Sequence, residues 1–281
     1  MREREVLLGG LGFGEGPRWH DGRLWFSDMG AARVMAVDPD GRAEVVLEVP
    51  TRPSGLGWLP DGRLLVVSMR DRRVLRLEPD GEVVVHADLA DLASFDCNDM
   101  VVDGHGRAYV GNAGFDLSAR PLEVRAAEVV LVTPDGEARV VDDEVVFPNG
   151  SVVTPDGSTL VVAETFGQCL TAFTIAEDGS LTDRRTFASL RGTSPDGICL
   201  DAEGAVWVAD ANGSACLRVR EGGEVVDRVD TGRGCFACML GGADRRTLFL
   251  MTAEGFEGAA IRRRTAAIEV VEVEVPGAGY P

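Results

Sequence analysis

The stretch NGSVVTPDGSTLVVAE, residues Asn149–Glu164, decides the fold. A short apolar strand runs into Thr-Pro-Asp-Gly, and a second strand, LVVA, comes out of the turn. The Asp-Gly pair accepts the positive φ that a tight reversal between strands demands. The second strand is apolar at every position rather than at alternate ones, so both of its faces must be covered. One hairpin cannot do that alone. The same unit recurs as EGPRWHDGRLWFSD from Glu15, SGLGWLPDGRLLVVS from Ser54, NDMVVDGHGRAYVGN from Asn98, DGICLDAEGAVWVAD from Asp196 and FACMLGGADRRTLFLM from Phe236.

Further strand pairs with their own turns lie between the units, for example VMAVDPDGRAEVVLE from Val34 and VVLVTPDGEARVV from Val129. Each period of roughly 40–50 residues therefore holds about four strands, the signature of a propeller blade. Helical periodicity is missing almost everywhere; 87–94 is the one stretch expected to form a short helical turn. The predicted fold is all-β: a six-bladed β-propeller of four-stranded blades around a central channel, as a single domain over residues 1–281. The N-terminal REREVLLG lacks a hairpin partner, and AIEVVEVEV alternates before Pro276. These two are expected to pair in one blade, closing the ring and removing its open edge. The long segment 114–128 is expected over the channel mouth.

Composition narrows the function. Net charge is −18, from 46 acidic and 28 basic residues. A nucleic-acid or anionic-membrane partner needs a basic face, so neither is expected. Every basic residue is Arg, which removes Schiff-base lysines, Ser–Lys dyads and the P-loop Lys. Acidic residues interrupt the N-terminus where a signal peptide would be apolar, and no apolar run approaches the roughly 18 residues of a membrane span. A cytoplasmic location is expected. Cys235 and Cys238 form a lone C-x-x-C without a second pair or a nearby His, so they read as small buried side chains rather than a zinc site. There is no G-x-S-x-G elbow for a Ser-His-Asp hydrolase. His20 and His105 fall in hairpin turns and His86 at a strand end, and all three read as surface. The cluster GGLGFGEG does not fit G-x-G-x-x-G and no helix follows it, against a dinucleotide site.

Aligning the six units exposes one column, the residue that opens each: Glu15, Ser54, Asn98, Asn149, Asp196 and Phe236. Five are polar at the head of otherwise apolar strands. If the column starts the innermost strands, its members converge on the axis. Glu15, Asn98, Asn149 and Asp196 would then offer two carboxylates and two amide carbonyls to one point. That is a hard, all-oxygen set suited to one divalent cation: Ca²⁺ foremost, with Mg²⁺, Mn²⁺ or Zn²⁺ as alternatives. Turn capping accounts for any single Asn, Asp or Ser here. It accounts less well for Glu15, or for flanks that are Gly or Asp (Gly16, Gly55, Asp99, Gly150 and Gly197), which let a backbone approach something closely.

The segments GEGPRW (Glu15), CNDMVVD (Asn98, Asp99), FPNGSVVTPDG (Asn149) and SPDGICLD (Asp196) resemble the SMP-30/gluconolactonase family, with its regucalcin-like lactonases, and more distantly the diisopropylfluorophosphatase and paraoxonase-type propellers. The resemblance covers nearly the whole chain. It implies a six-bladed propeller with a divalent metal held by Glu15, Asn149 and Asp196. Asn98 would bind the metal or face the substrate, and Asp196 would act as base. Members acting on sugar lactones often carry Arg two residues before the Asn-Asp pair; here that residue is Asp96, which points away from gluconolactone itself.

The expected function is metal-dependent hydrolysis of a small ester, foremost a lactone. The metal would polarise the carbonyl and activate water, with Asp196 or Asp99 accepting the proton. Ser54, Met100 and Phe236 are candidate substrate contacts, with packing and turn roles accounting for them equally. The alternatives are a phosphotriesterase or arylesterase on the same site, and a non-catalytic metal-binding sensor or scaffold. The partner is a small molecule, with no obligate protein partner.

Overall fold

The structure, a computed structural model, describes residues 3–256 and 258–279. The predicted domain limits 1 and 281 therefore lie outside the described residues, as does Arg2 of the expected N-terminal strand. Among the described residues, six four-stranded antiparallel sheets form a six-bladed β-propeller. Each repeated hairpin supplies the first two strands of a blade. The innermost strands are Gly14–His20 (blade I), Pro53–Trp58 (II), Cys97–Val102 (III), Pro148–Val153 (IV), Pro195–Leu200 (V) and Gly234–Gly241 (VI). Each packs against the innermost strands on either side, around the axis. Blade I reverses on Asp21 (φ 48°) and Gly22 (φ 75°), the left-handed pair that a two-residue hairpin requires.

The burial gradient follows from blades stacking face to face. The second strands Leu64–Ser68 and Val206–Asp210 are buried throughout. The outermost strands expose half or more of their residues, as Leu181–Ser189 does. The core is a set of layers between blades. In one, Val34 and Leu47 of blade I meet Leu56, Leu64 and Val66 of blade II. A fully buried side chain of this size contributes about 1.5–3 kcal/mol relative to exposure.

Blade VI takes three strands from the C-terminal part of the chain and its outer strand, Glu5–Leu11, from the N-terminal part; that strand pairs antiparallel with Ala266–Glu272. The final strand stops at Glu272, earlier than its alternating pattern suggests. The chain then crosses to blade V, where Ala278 N–H donates to Leu200 O at 3.0 Å. The stretch 87–94 begins as strand, since Val83–Asp88 forms the outer strand of blade II. Its helical turn is confined to Leu89–Ala93, closed by Ala93 N–H to Leu89 O at 2.8 Å. The short helix Gly258–Arg263 has no apolar periodicity to reveal it.

The histidines are not all surface residues. His105 is exposed. His20 is half-buried and stacks on Trp58, ring centroids 3.9 Å apart. His86 is buried inside an outer strand, bonded to Arg76 and to Thr133 O. A residue at an apparent strand end became interior because the next blade covers it.

Candidate metal and substrate site

Every innermost strand slips register against its hairpin partner at the residue that opens the repeat. The shifts fall between Glu15 and Arg18, Pro53 and Leu56, Cys97 and Met100, Pro148 and Ser151, Pro195 and Ile198, and Cys235 and Ala237. Such bulges bend a strand and re-aim its side chains. Repeated in all six blades, they turn the column residues toward one end of the channel.

There, Glu15, Asn98, Asn149, Asp196 and Phe236 line one cavity of about 360 Å³. The residues after the column face the next blade. A Cβ at Gly150 would lie 2.6 Å from the Cα of Gly197, and one at Gly197 would lie 2.5 Å from the Cβ of Ala237. What these glycines allow to approach closely is the neighbouring innermost strand.

Three candidates of the sequence reading lie elsewhere. Met100 is wholly buried and packs between blades II and III, so its side chain is no cavity wall. Ser54 is 1% exposed and stands behind Asn98, its Oγ 3.5 Å from Asn98 Oδ1. Asp99 does not line the cavity; its Oδ1 accepts from Arg18 Nη2 at 3.0 Å and from Met100 N–H at 2.9 Å. Side chains alternate along a strand, which turns Asp99 away from the direction of Asn98; Met100, two residues on, would share that direction in a regular strand, but the register slip between Cys97 and Met100 re-aims it.

The electrostatics mark Glu15 and Asp196. Burial pushes the Glu15 carboxyl well above its ordinary value, Asp196 and Asp99 push it further, and the Gly16 N–H opposes them. Burial likewise raises Asp196 well above the carboxylate range, Asp99 adds to it, and the Asn149 amide and Gly197 N–H pull it down. Glu15 and Asp196 are each 8% exposed. Among the described residues, neither has an arginine within ion-pair distance, although Arg18 serves Asp99 close by. Two unpaired buried carboxylates disfavour their charged forms.

These residues fit a hard divalent cation. Among the described residues no three His, Cys, Asp or Glu side chains gather as a metal cluster, so the set depends on its amides. Asn149 spends Nδ2 on Thr165 Oγ1 at 3.1 Å, and Thr165 is itself anchored to Pro195 O at 2.8 Å. That leaves the Asn149 carbonyl oxygen available as a donor. Carboxylates and amide oxygens are the ligands Ca²⁺ and Mg²⁺ take.

Five phenylalanines contribute to the rest of the wall, alongside polar Thr165, Gln168, Ser194 and Asn212. Phe236 meets Phe13 edge-on at 4.8 Å, and Phe147 and Phe166 lie 5.4 Å apart. Leu117, from the segment 114–128, reaches the same cavity. Phe147 stood in a quoted motif but carried no signal of its role. Arg52 also lines the cavity and escaped the sequence reading. Arg18 had a signal: it is the one arginine within the six innermost strands.

Among known proteins, the chain is 28% identical over 191 residues to 6-deoxy-6-sulfogluconolactonase of Pseudomonas putida, covering 66% of this chain and 64% of that protein. It is 26% identical over 178 residues to regucalcin of Oryctolagus cuniculus, covering 60% of this chain and 59% of that protein. The matches thus span less than two thirds of these relatives' lengths. Its fold is similar to that of a calcium-binding protein, regucalcin, from Agrobacterium tumefaciens, with a TM-score of 0.83 at 22% identity over 100% of this chain and 97% of that one. Residues 13–254, running from Phe13 beside the cavity to the end of blade VI's second strand, match the family model described as the SMP-30/Gluconolactonase/LRE-like region, and the chain belongs to that family.

Proposed function

We propose that the protein hydrolyses a small ester, a lactone foremost, using one divalent cation held by Glu15, Asn149 and Asp196. The observation that carries this reading is the pair of buried, unpaired carboxylates, Glu15 and Asp196, lining one cavity with Asn98 and Asn149. A relative named as a lactonase and others named regucalcin support lactone chemistry and Ca²⁺ as the first cation to test.

When bound, such a cation supplies Lewis-acid polarisation of a carbonyl oxygen and lowers the pKa of water. The chain's residues do the remainder. Asp196, whose proton affinity burial raises, accepts a proton from the attacking water; a base works best with a pKa near the working pH. Asp99 is committed to Arg18, so the base role stays with Asp196. Asn98, backed by Ser54, faces the substrate. The phenylalanines exclude bulk water, which strengthens every electrostatic interaction inside. Their presence also favours a second reading on the same site, hydrolysis of aryl esters or phosphotriesters.

The protein is proposed to act as one domain, without an obligate protein partner, in the cytoplasm. Six free cysteines are in keeping with a reducing compartment, and the net charge of −18 argues against nucleic acid. Among the described residues no helix is long and apolar enough to cross a membrane.

The test is ester turnover by chelator-stripped protein, with Ca²⁺, Mg²⁺, Mn²⁺ and Zn²⁺ restored one at a time. Substrates run from sugar lactones through alkyl lactones to aryl esters and phosphotriesters. Turnover restored by a cation and lost in Glu15→Gln or Asp196→Asn supports the proposal. Cation binding without turnover of any substrate class identifies a sensor or scaffold instead.

A further inference from the structure

Arg52 sits in the loop between the outer strand of blade I, Ala43–Glu48, and the innermost strand of blade II. Its backbone is left-handed, φ 81°, a conformation that a non-glycine residue adopts only under strain. Its side chain lines the same cavity as Glu15 and Asp196. Among the described residues its guanidinium makes no hydrogen bond and no ion pair. The charges it feels are Arg70, which repels it, and Asp96 and Glu15, which attract it; neither acid lies within ion-pair distance. None of its nitrogens is among the buried atoms left without a partner in the described residues, so its donors stay open to the cavity and to a ligand that enters it.

The same cavity is lined by Phe13, Phe147, Phe166, Phe236 and Phe256, with polar Thr165, Gln168, Ser194 and Asn212 among them. A substrate with hydroxyls all round its ring would set some of them against the phenyl rings. The cavity thus combines phenyl rings with one unpartnered cation.

We infer that the substrate is amphipathic: an ester or lactone with an aromatic or alkyl body and one anionic substituent, a carboxylate, sulfonate or phosphate, held by Arg52. A guanidinium meets such oxyanions with two parallel hydrogen bonds. This rests on the proposed function for the word ester, but the binding claim stands on the cavity alone. Arg52 acts as a specificity-determining residue and takes no part in bond breaking.

The experiment is calorimetric binding to Ca²⁺-loaded protein of phenylmethanesulfonate and of its uncharged amide, phenylmethanesulfonamide. Wild type is expected to prefer the anion by on the order of tenfold. Arg52→Gln and Arg52→Gly should bring the two affinities together, leaving that of the amide unchanged. The glycine variant suits the left-handed backbone and guards against misfolding. Arg70→Gln, at the exposed neighbour, should keep the preference. Equal affinities in wild type, a preference surviving in both Arg52 variants, or a preference abolished by Arg70→Gln alone would overturn the inference. The readout needs no turnover. A protein that binds the anion through Arg52 but hydrolyses nothing sinks only the hydrolase, and one that hydrolyses neutral esters without this preference sinks only the Arg52 assignment.

Discussion

Arg18 of blade I reaches past blade II to Asp99 of blade III, its Nη2 lying 3.0 Å from Asp99 Oδ1 and 2.5 Å from Met100 O. Both side chains are almost wholly buried, at 4% and 8% exposure. The pair joins two non-adjacent blades, and its acid is one whose charge is felt by both Glu15 and Asp196. Removing one partner of a buried pair strands the other's charge. Arg18→Met is therefore expected to cost about 3–5 kcal/mol at neutral pH, read by denaturant unfolding, and Arg18→Met combined with Asp99→Asn should recover a large part. A cost under about 1 kcal/mol, the range of exposed pairs, would mean that the pair does not brace the channel.

Glu15→Gln should separate stability from metal binding. In chelated protein the Glu15 carboxylate is buried without a cation and is held well above its ordinary pKa. Neutralising it should raise the melting temperature, at about 2–4 °C per kcal/mol for a chain of this size. On the proposed metal site, added Ca²⁺ is expected to stabilise wild type by an amount that grows with ligand concentration over Kd, and the same variant should lose that stabilisation. Paired melting curves with chelator and with Ca²⁺ check both. A fall in the chelated melting temperature would show that Glu15 contributes as a structural acceptor.

Gly197→Ala probes the packing around the axis. Its Cβ would meet the Cβ of Ala237 at 2.5 Å, and both belong to innermost strands that cannot move apart singly. Overpacking of this kind costs about 1–3 kcal/mol. Gly204→Ala, where a Cβ meets nothing within 4 Å, serves as the control for open space, although its positive φ of 78° adds a strain of its own. Comparable losses in the two variants would argue against close strand approach as the reason for Gly197.

His86 should give the fold a pH dependence. Its Nε2–H donates to Thr133 O at 3.1 Å and its Nδ1 accepts from Arg76 Nη1 at 3.0 Å. That network requires the neutral ring. Burial lowers its pKa below 6.5, with Arg76 and Arg63 lowering it further against the Thr133 carbonyl. Above 6.5 the ring is neutral folded and unfolded, so it adds no slope. As pH falls below 6.5 the unfolded chain takes up the proton first and folding loses stability, until the folded ring also protonates. His86→Gln should flatten this decline in unfolding free energy measured downward from neutral pH. An unchanged slope would place its origin in other groups.

The blade architecture was legible because both of its determinants are local. Asp-Gly turns and continuous apolar runs such as LLVV need only neighbours in sequence to be read, and the bulged head of each innermost strand falls on the column that opens the repeat. The column itself was found because Glu15 and Asp196 break an apolar pattern at equivalent places. Arg18 broke the pattern too, but it stands in a single copy, so comparison among repeats gave it no weight. Asp99 was read as a candidate base and Met100 as a substrate contact; alternation turns Asp99 away from Asn98, and the register slip between Cys97 and Met100, invisible in the sequence, re-aims Met100.

By itself, then, the sequence determined that six hairpin units stack, where each strand turns, and which polar residues open the innermost strands, because turn chemistry and hydrophobic period are written within a few residues. Only the tertiary structure decided which residues share the cavity. Arg52 and Phe166 stand 114 positions apart yet line one cavity, and Arg18 finds Asp99 at a separation of 81. Ring closure brings such side chains together, and no pattern within a single blade can show where the curvature of six stacked sheets will make them meet.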